Sequence, residues 1–167
     1  MYVSISICGK DYKALQKHLF PTGESRERVC FIFATAKKSA SSLSFVLKDW
    51  YAVKANEYKY QSRGYVELKD SMRGLIIKKA FDLDTSIIEV HSHPYDTAAK
   101  FSGSDKEGFK EFVPHVWWRL KGKPYAALVF SQSDFDGLAW TNSPQQYEPV
   151  TELLVDKSKI RANNLSA

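Results

Sequence analysis

The sequence predicts an α/β fold with a mixed central sheet flanked by helices. Buried apolar runs typical of central strands alternate irregularly with segments of helical spacing, and no internal repeat is visible. At 167 residues the chain is the size of one domain, large enough to bury about two thirds of its unfolded surface. We expect this domain to cover residues 1–150. Residues 151–167 are expected to form a polar C-terminal tail that frays.

The elements are predicted from their periodicity and from the polar turns that bound them. Val29–Ala34 is a continuous apolar run, as expected of a central strand that is buried on both faces. Met72, Leu75, Ile76 and Lys79 have helical spacing, so their helix should cover a sheet face. Strands are predicted over residues 1–10, 27–36, 45–53, 65–68, 85–90, 125–130 and 137–141, and helices over 11–18, 71–80 and from 102 onward.

Two histidines follow the strand predicted over residues 85–90. Side chains two apart on a strand point to the same side, so His91 and His93 should present their rings to one point. Pro94 has no N–H group and ends the strand pairing. The pattern therefore predicts a pair of imidazoles at a strand end.

A carboxylate follows the histidine pair within a few residues. Ser102 has the features of a helix N-cap, which places Asp105 in the first helical turn. Two neutral imidazoles and one carboxylate suit zinc, and three protein ligands leave the fourth tetrahedral position for water, whose pKa zinc lowers to about 7. We therefore predict one catalytic zinc ion held by His91, His93 and Asp105.

Simpler interpretations of each part exist. Ser102 and Asp105 have the spacing of a capping pair, which occurs in many helices without any chemistry. A lone His-x-His pair on a strand is also commonly structural. The conjunction of both features around Pro94 favours the metal interpretation.

At these residues the chain resembles the JAB/MPN metallopeptidases, also called the JAMM family. Their pattern is a remote glutamate, His-x-His-Pro and Ser-x-x-Asp, which His91–Pro94 and Ser102–Asp105 match. Eight residues separate His93 from Ser102, where the family pattern has about seven. A looser similarity to bacterial JAB proteins found beside E1-like and E2-like enzymes covers residues 12–141, through His18–Pro21, Asp49–Tyr51, Glu89–His91 and Gly137–Trp140.

The resemblance implies an MPN/JAB, cytidine-deaminase-like fold and a glutamate that acts as general base. Glu27 is our choice, since the central strand follows it and places it at the mouth of the core. Glu24 lies in a polar turn and should be solvated. Glu89 is the main rival: it shares a strand face with the histidines and could instead hydrogen-bond one of them.

The resemblance also implies a reaction and partners. Glu27 would move the proton, Ser102 would donate a hydrogen bond to the developing oxyanion, and an amide bond would be hydrolysed. The substrate would be a ubiquitin-like protein or its conjugates, cut after its C-terminus in deconjugation or precursor processing. E1-like and E2-like enzymes of the same pathway are possible further partners.

Composition excludes some classes of partner. Cys8 and Cys30 both lie in apolar stretches, where buried free thiols are expected, and this favours the cytoplasm. A leader and a membrane span are not expected.

The net charge is +5 and the pI about 9.1, but the basic residues are scattered, so nucleic acid is not the expected partner. The positive charge could instead steer a partner with an acidic docking surface.

Two other functions remain open as alternatives, and the residues argue against a third. A non-catalytic MPN-type scaffold usually lacks some metal ligands, and none is missing here. A mononuclear iron enzyme also uses two histidines and a carboxylate, but in the order His-x-Asp/Glu followed by a distant histidine. A two-metal hydrolase of the metallo-β-lactamase type is hard to build from four histidines, although Asp96 follows the pair.

Overall fold

The computed structural model describes residues 1–95 and 97–167, so Asp96 lies outside the described residues. The chain is one α/β domain with a large mixed sheet and helices on both faces, as the sequence predicts. In the described residues, no helix is long and apolar enough to cross a membrane.

The elements are labelled in chain order. The helices are α1 (Gly9–Leu19), α2 (Asp70–Leu83) and α3 (Gly103–Arg119). The strands are β1 (Tyr2–Ile7), β2 (Val29–Lys38), β3 (Ser42–Ala52), β4 (Tyr58–Gln61), β5 (Val66–Leu68), β6 (Ser86–Ser92), β7 (Tyr125–Phe130), β8 (Phe135–Ser143), β9 (Gln146–Pro149), β10 (Glu152–Val155) and β11 (Ser158–Arg161).

The main sheet has the strand order β11-β10-β1-β3-β2-β6-β7-β8-β9. β1 runs parallel to both β10 and β3, and β6 runs parallel to β7, while the other neighbours are antiparallel. The sheet curls on itself. Val150 donates its N–H to the carbonyl of Gly137 on β8, and the next residue, Thr151, donates its N–H to the carbonyl of Val3 on β1. β4 and β5 form a separate hairpin.

The apolar runs of the central strands supply two cores, one on each face of the sheet. On one face, Phe31 and Phe33 of β2 pack with buried residues of α2 and α3, among them Ile76 and Val113. On the opposite face, Ile32 and its neighbours pack with α1 and the curled edge of the sheet. Burying a Phe or Ile side chain completely contributes about 1.5–3 kcal/mol to the free energy of folding. The two clusters therefore hold the central strands firmly in place.

Two sequence expectations were wrong. Residues 151–167 do not fray: β10 pairs with β1, β11 pairs with β10, and Ser166 is 2% exposed. Each of these strands has only four residues, too few to show a clear periodicity in the sequence, and of the two only β11 lies at the edge of the sheet. Cys8 is exposed at the start of α1, whereas Cys30 is buried and free as expected.

Candidate metal centre

The centre is built where β2 and β6 meet. These strands are antiparallel with Val29 opposite His91, and Ser92 still donates its N–H to the carbonyl of Arg28 beyond that pair. Continuing this register by two residues sets Glu27 opposite His93. Side chains alternate along each strand, so Glu27, His91 and His93 point to the same side of the sheet.

The structure brings the four predicted residues together. The Nε2 atoms of His91 and His93 are 3.1 Å apart. Oδ2 of Asp105 lies 3.5 Å from Nε2 of His91 and 3.6 Å from Nε2 of His93. Oε1 of Glu27 lies 3.5 Å from Nε2 of His93. Donor atoms of Glu27, His91 and His93 all lie within 4.8 Å of one another, so this buried group could hold a metal ion.

These distances fit the geometry of a tetrahedral zinc site. Ligand atoms about 2.0–2.1 Å from zinc are about 3.3 Å from one another in a regular tetrahedron. The triangle formed by His91, His93 and Asp105 has edges of 3.1, 3.5 and 3.6 Å. The set also contains the neutral nitrogen and carboxylate oxygen donors that zinc prefers. The side chains therefore fit the metal that their order in the sequence predicts.

Packing holds both histidine rings in place. His91 and His93 are 2% and 3% exposed. The ring of Tyr95 stacks on that of His93, with 5.0 Å between the ring centroids. The ring of Phe101 packs against that of His91, with 5.7 Å between the centroids. Sequence reasoning missed both aromatic residues, although each is close in sequence to a predicted ligand. These contacts fix the directions in which the two imidazole rings point.

The charges in the centre are strongly coupled. Burial disfavours a charged His91, but the carboxylates of Asp105, Glu27 and Glu89 together outweigh this effect and raise the pKa of His91. Burial acts against ionisation of Asp105 too, yet His91 and His93 hold its pKa well below the usual range. The pKa of His93 is lowered by burial and by the charge on His91. Metal ligands must be deprotonated, so a metal ion and protons would compete for these groups.

The carboxylate of Glu27 has a different environment from that of Asp105. It is 2% exposed, and burial, reinforced by the charge of Asp105, raises its pKa to about 7. Its backbone is fixed by two bonds: its N–H donates to Ser62, and its carbonyl accepts from Nε2 of Gln61. The end of β4 and the loop that follows it therefore anchor the residue that sequence reasoning chose as the base.

Ser102 and Asp105 form a capping box at the start of α3. The hydroxyl of Ser102 accepts the N–H of Asp105 at 3.1 Å, and the N–H of Ser102 donates to Oδ2 of Asp105 at 2.7 Å. The capping interpretation is thus confirmed, and the same Oδ2 atom faces both histidines. The Ser102 hydroxyl also lies 2.8 Å from this oxygen, so it orients the carboxylate, and its role toward an oxyanion stays a prediction.

The rival glutamates have other partners. Oε2 of Glu89 accepts the hydroxyl of Tyr125 at 2.7 Å, so in the described part of the chain it bonds to a tyrosine rather than to a histidine. Glu24 contacts the Arg26 guanidinium at 2.9 Å, and these hydrogen bonds lower the pKa of Glu24 to about 2. Of these three glutamates, Glu27 is the one whose carboxylate groups with His91 and His93 as a possible metal ligand.

An open groove of about 950 Å³ leads to the centre. Its walls include the first half of α3, the start of α2 and the β5 strand, and its lining contains His91 and Asp105 but not Glu27 or His93. Acidic side chains outnumber basic ones in the lining, although the whole chain carries a net charge of +5. The charged lining residues are Glu67, Asp70, Glu89, Asp105, Glu107 and Glu111 with Arg73 and Lys110.

Comparison with known proteins does not add an assignment. No model of a protein family matches the chain, and a search of curated proteins finds no similar one. The chemistry of the centre must therefore be argued from its own residues.

Proposed function

We propose that the protein is a zinc-dependent peptidase that hydrolyses the amide bond after the C-terminus of a ubiquitin-like protein. The observation that carries this proposal is the triangle of His91, His93 and Asp105 at zinc spacing, with the buried carboxylate of Glu27 beside it. The JAMM-like order of these residues in the sequence supports the reaction. Deconjugation and precursor processing both use this chemistry.

Each residue has a distinct task in the proposed reaction. His91, His93 and Asp105 would hold the zinc ion, which supplies a Lewis acid that activates water and polarises a carbonyl. Glu27 accepts a proton from the water and passes it to the leaving amine, a contribution of about 10²–10⁴-fold. Ser102 keeps Asp105 oriented through its single hydroxyl proton, and to serve the developing oxyanion this proton would have to turn away from Asp105.

The groove supports an extended peptide as the substrate. β5 pairs with β4 along one edge, lines the groove, and has no strand on its other edge in the described residues. A flexible protein tail can add to such an edge through backbone hydrogen bonds while its last amide reaches the metal centre. A folded surface could not enter in this way. The proposed substrate therefore has a free, extended C-terminal tail.

Cleavage of a defined fusion tests the proposal. The substrate is a ubiquitin-like protein fused to a C-terminal reporter, first ubiquitin and then any ubiquitin-like protein encoded beside this chain's gene. We expect a single cut after the last tail residue, identified by mass spectrometry, and no cut in folded proteins that lack such a tail. Indiscriminate digestion of casein, or no cleavage of any fusion by the zinc-loaded protein, would contradict the proposal.

Reversing charge in the groove should weaken substrate binding without changing the chemical step. Glu111 is exposed on α3 and lines the groove, whose acidic lining favours a tail with basic residues. A surface charge pair is worth up to about 1 kcal/mol. For such a tail, Glu111→Lys should therefore raise KM by about 5-fold. The kcat should stay unchanged. Asp82→Lys, on α2 but outside the groove lining, is the matched control and should leave KM unaltered. Equal KM changes in both variants would point to overall charge instead.

A further inference from the structure

The segment that carries Asp105 into the centre is held from behind by the C-terminal residues. Residues 97–102 lead into α3, and within them Ala99 and Phe101 are 0% and 3% exposed. Two side chains beyond β11, Asn163 and Ser166, bond to the backbone of these two buried residues. We call Asn163 and Ser166 the C-terminal clamp.

Ser166 bonds to the end of this segment and to the start of α3. Its Oγ accepts the N–H of Phe101 at 2.9 Å, and its carbonyl accepts Nζ of Lys106, in the first turns of α3, at 2.8 Å. Ser166 is itself fixed, because its N–H donates to Oδ2 of the fully buried Asp136 on β8 at 2.7 Å. A rigid sheet residue thus anchors the start of α3 through one serine.

Asn163 holds the other buried residue of the segment. Its Nδ2 donates to the carbonyl of Ala99 at 2.7 Å and to Oδ2 of Asp134 at 2.6 Å. Oδ1 of the same Asp134 accepts the N–H of Ala99 at 2.8 Å. Both backbone groups of Ala99 are therefore bonded within one small network that includes the clamp.

The clamp is connected to the ligand atoms by two short paths. Phe101, whose N–H is bonded to Ser166, packs its ring against His91 at 5.7 Å. The next residue, Ser102, bonds to Oδ2 of Asp105 through its N–H and its hydroxyl. A shift of Phe101 would therefore move one ligand ring and the orientation of one ligand carboxylate together.

We propose that Asn163 and Ser166 are positioning residues that set the geometry of the metal centre. This inference rests on the metal-binding part of the proposed function and not on the substrate. Residues that orient metal ligands typically change metal affinity by about 10–100-fold when they are removed. Ser166 acts one step further from the metal, so the lower end of this range applies.

The test measures zinc affinity in Ser166→Ala and Asn163→Ala, by competition with a chromophoric chelator. We expect the dissociation constant for zinc to rise about 10-fold in each variant. Hydrogen exchange of the Phe101 amide should become faster in Ser166→Ala, because its buried N–H loses its acceptor. Ser158→Ala, an exposed serine on β11, is the matched control and should change neither quantity.

The outcomes separate this inference from the proposed function. Unchanged zinc affinity in both clamp variants, with faster exchange at Phe101, would overturn the positioning role while leaving the peptidase proposal intact. Weaker zinc binding in a protein that cleaves no tailed substrate would support the clamp and contradict the peptidase. A thermal unfolding curve of each variant confirms that the fold is retained, so that a change in affinity reports on the centre.

Discussion

Replacing Asp105 with alanine should reduce bound zinc from about one ion per chain to a small fraction, and peptidase activity should be lost with it. Oδ2 of Asp105 lies 3.5 and 3.6 Å from the two histidine nitrogens, so its removal leaves two ligands in a site that needs three. Elemental analysis of protein purified with and without added zinc measures the metal content.

The control for this change addresses the helix start rather than the metal. Asp105 also belongs to the capping box of α3, and loss of a capping interaction costs about 0.5–2 kcal/mol by itself. Glu57→Ala removes the acidic partner of another capping box, at the short helical turn of residues 55–57, and should leave the zinc content unchanged. Two tightly bound metals per chain, or stoichiometric iron with oxygen-dependent activity, would contradict the mononuclear zinc centre.

Glu27→Gln should lower turnover by about 10²-fold or more while zinc stays bound. Glutamine keeps the size of the side chain and most of its hydrogen bonding, but it cannot accept the proton. The carboxylate is 2% exposed and lies 3.5 Å from Nε2 of His93, so another base could not easily take its place. Single-turnover kinetics on the fusion substrate, with zinc content measured on the same sample, checks this result.

Glu89→Gln is the comparison that identifies the base. Its carboxylate accepts the Tyr125 hydroxyl and lines the groove, so the change should lower metal affinity by less than the roughly 10–100-fold typical of residues that bond a metal ligand directly. Near-normal turnover in Glu27→Gln with loss of turnover in Glu89→Gln would reverse the assignment. Loss of zinc from Glu27→Gln would instead identify Glu27 as a fourth ligand, and a closed four-ligand centre is structural rather than catalytic.

Local patterns predicted the parts of the centre that lie close together in the chain. The alternation of a strand aims His91 and His93 at one point, and a capping position brings Asp105 into the first turn of the helix that follows. These relations depend on a few adjacent backbone angles, so residue types and spacing suffice to predict them. The α/β class is predicted for the same reason, because it follows from the periodicity of each segment.

The sequence suggests Glu27 as the base but does not specify how close it comes to the histidines. The residue lies 3.5 Å from His93 only because β2 and β6 pair with Val29 opposite His91. A shift of one residue in this register would turn Glu27 to the other face of the sheet. Register depends on the packing of both cores, and no local pattern in either strand specifies it.

By itself, the sequence determined the α/β class and a compact set of side chains that could hold a metal ion, since both follow from local backbone geometry. The tertiary structure decided which glutamate meets that set, where the acidic groove runs, and that Asn163 and Ser166 hold the segment before Asp105. The physical reason is that a polar segment such as residues 162–166 has no periodicity to reveal its partners. Its hydrogen bonds to Ala99, Phe101 and Asp136 exist only once the curled sheet brings these distant backbone groups together.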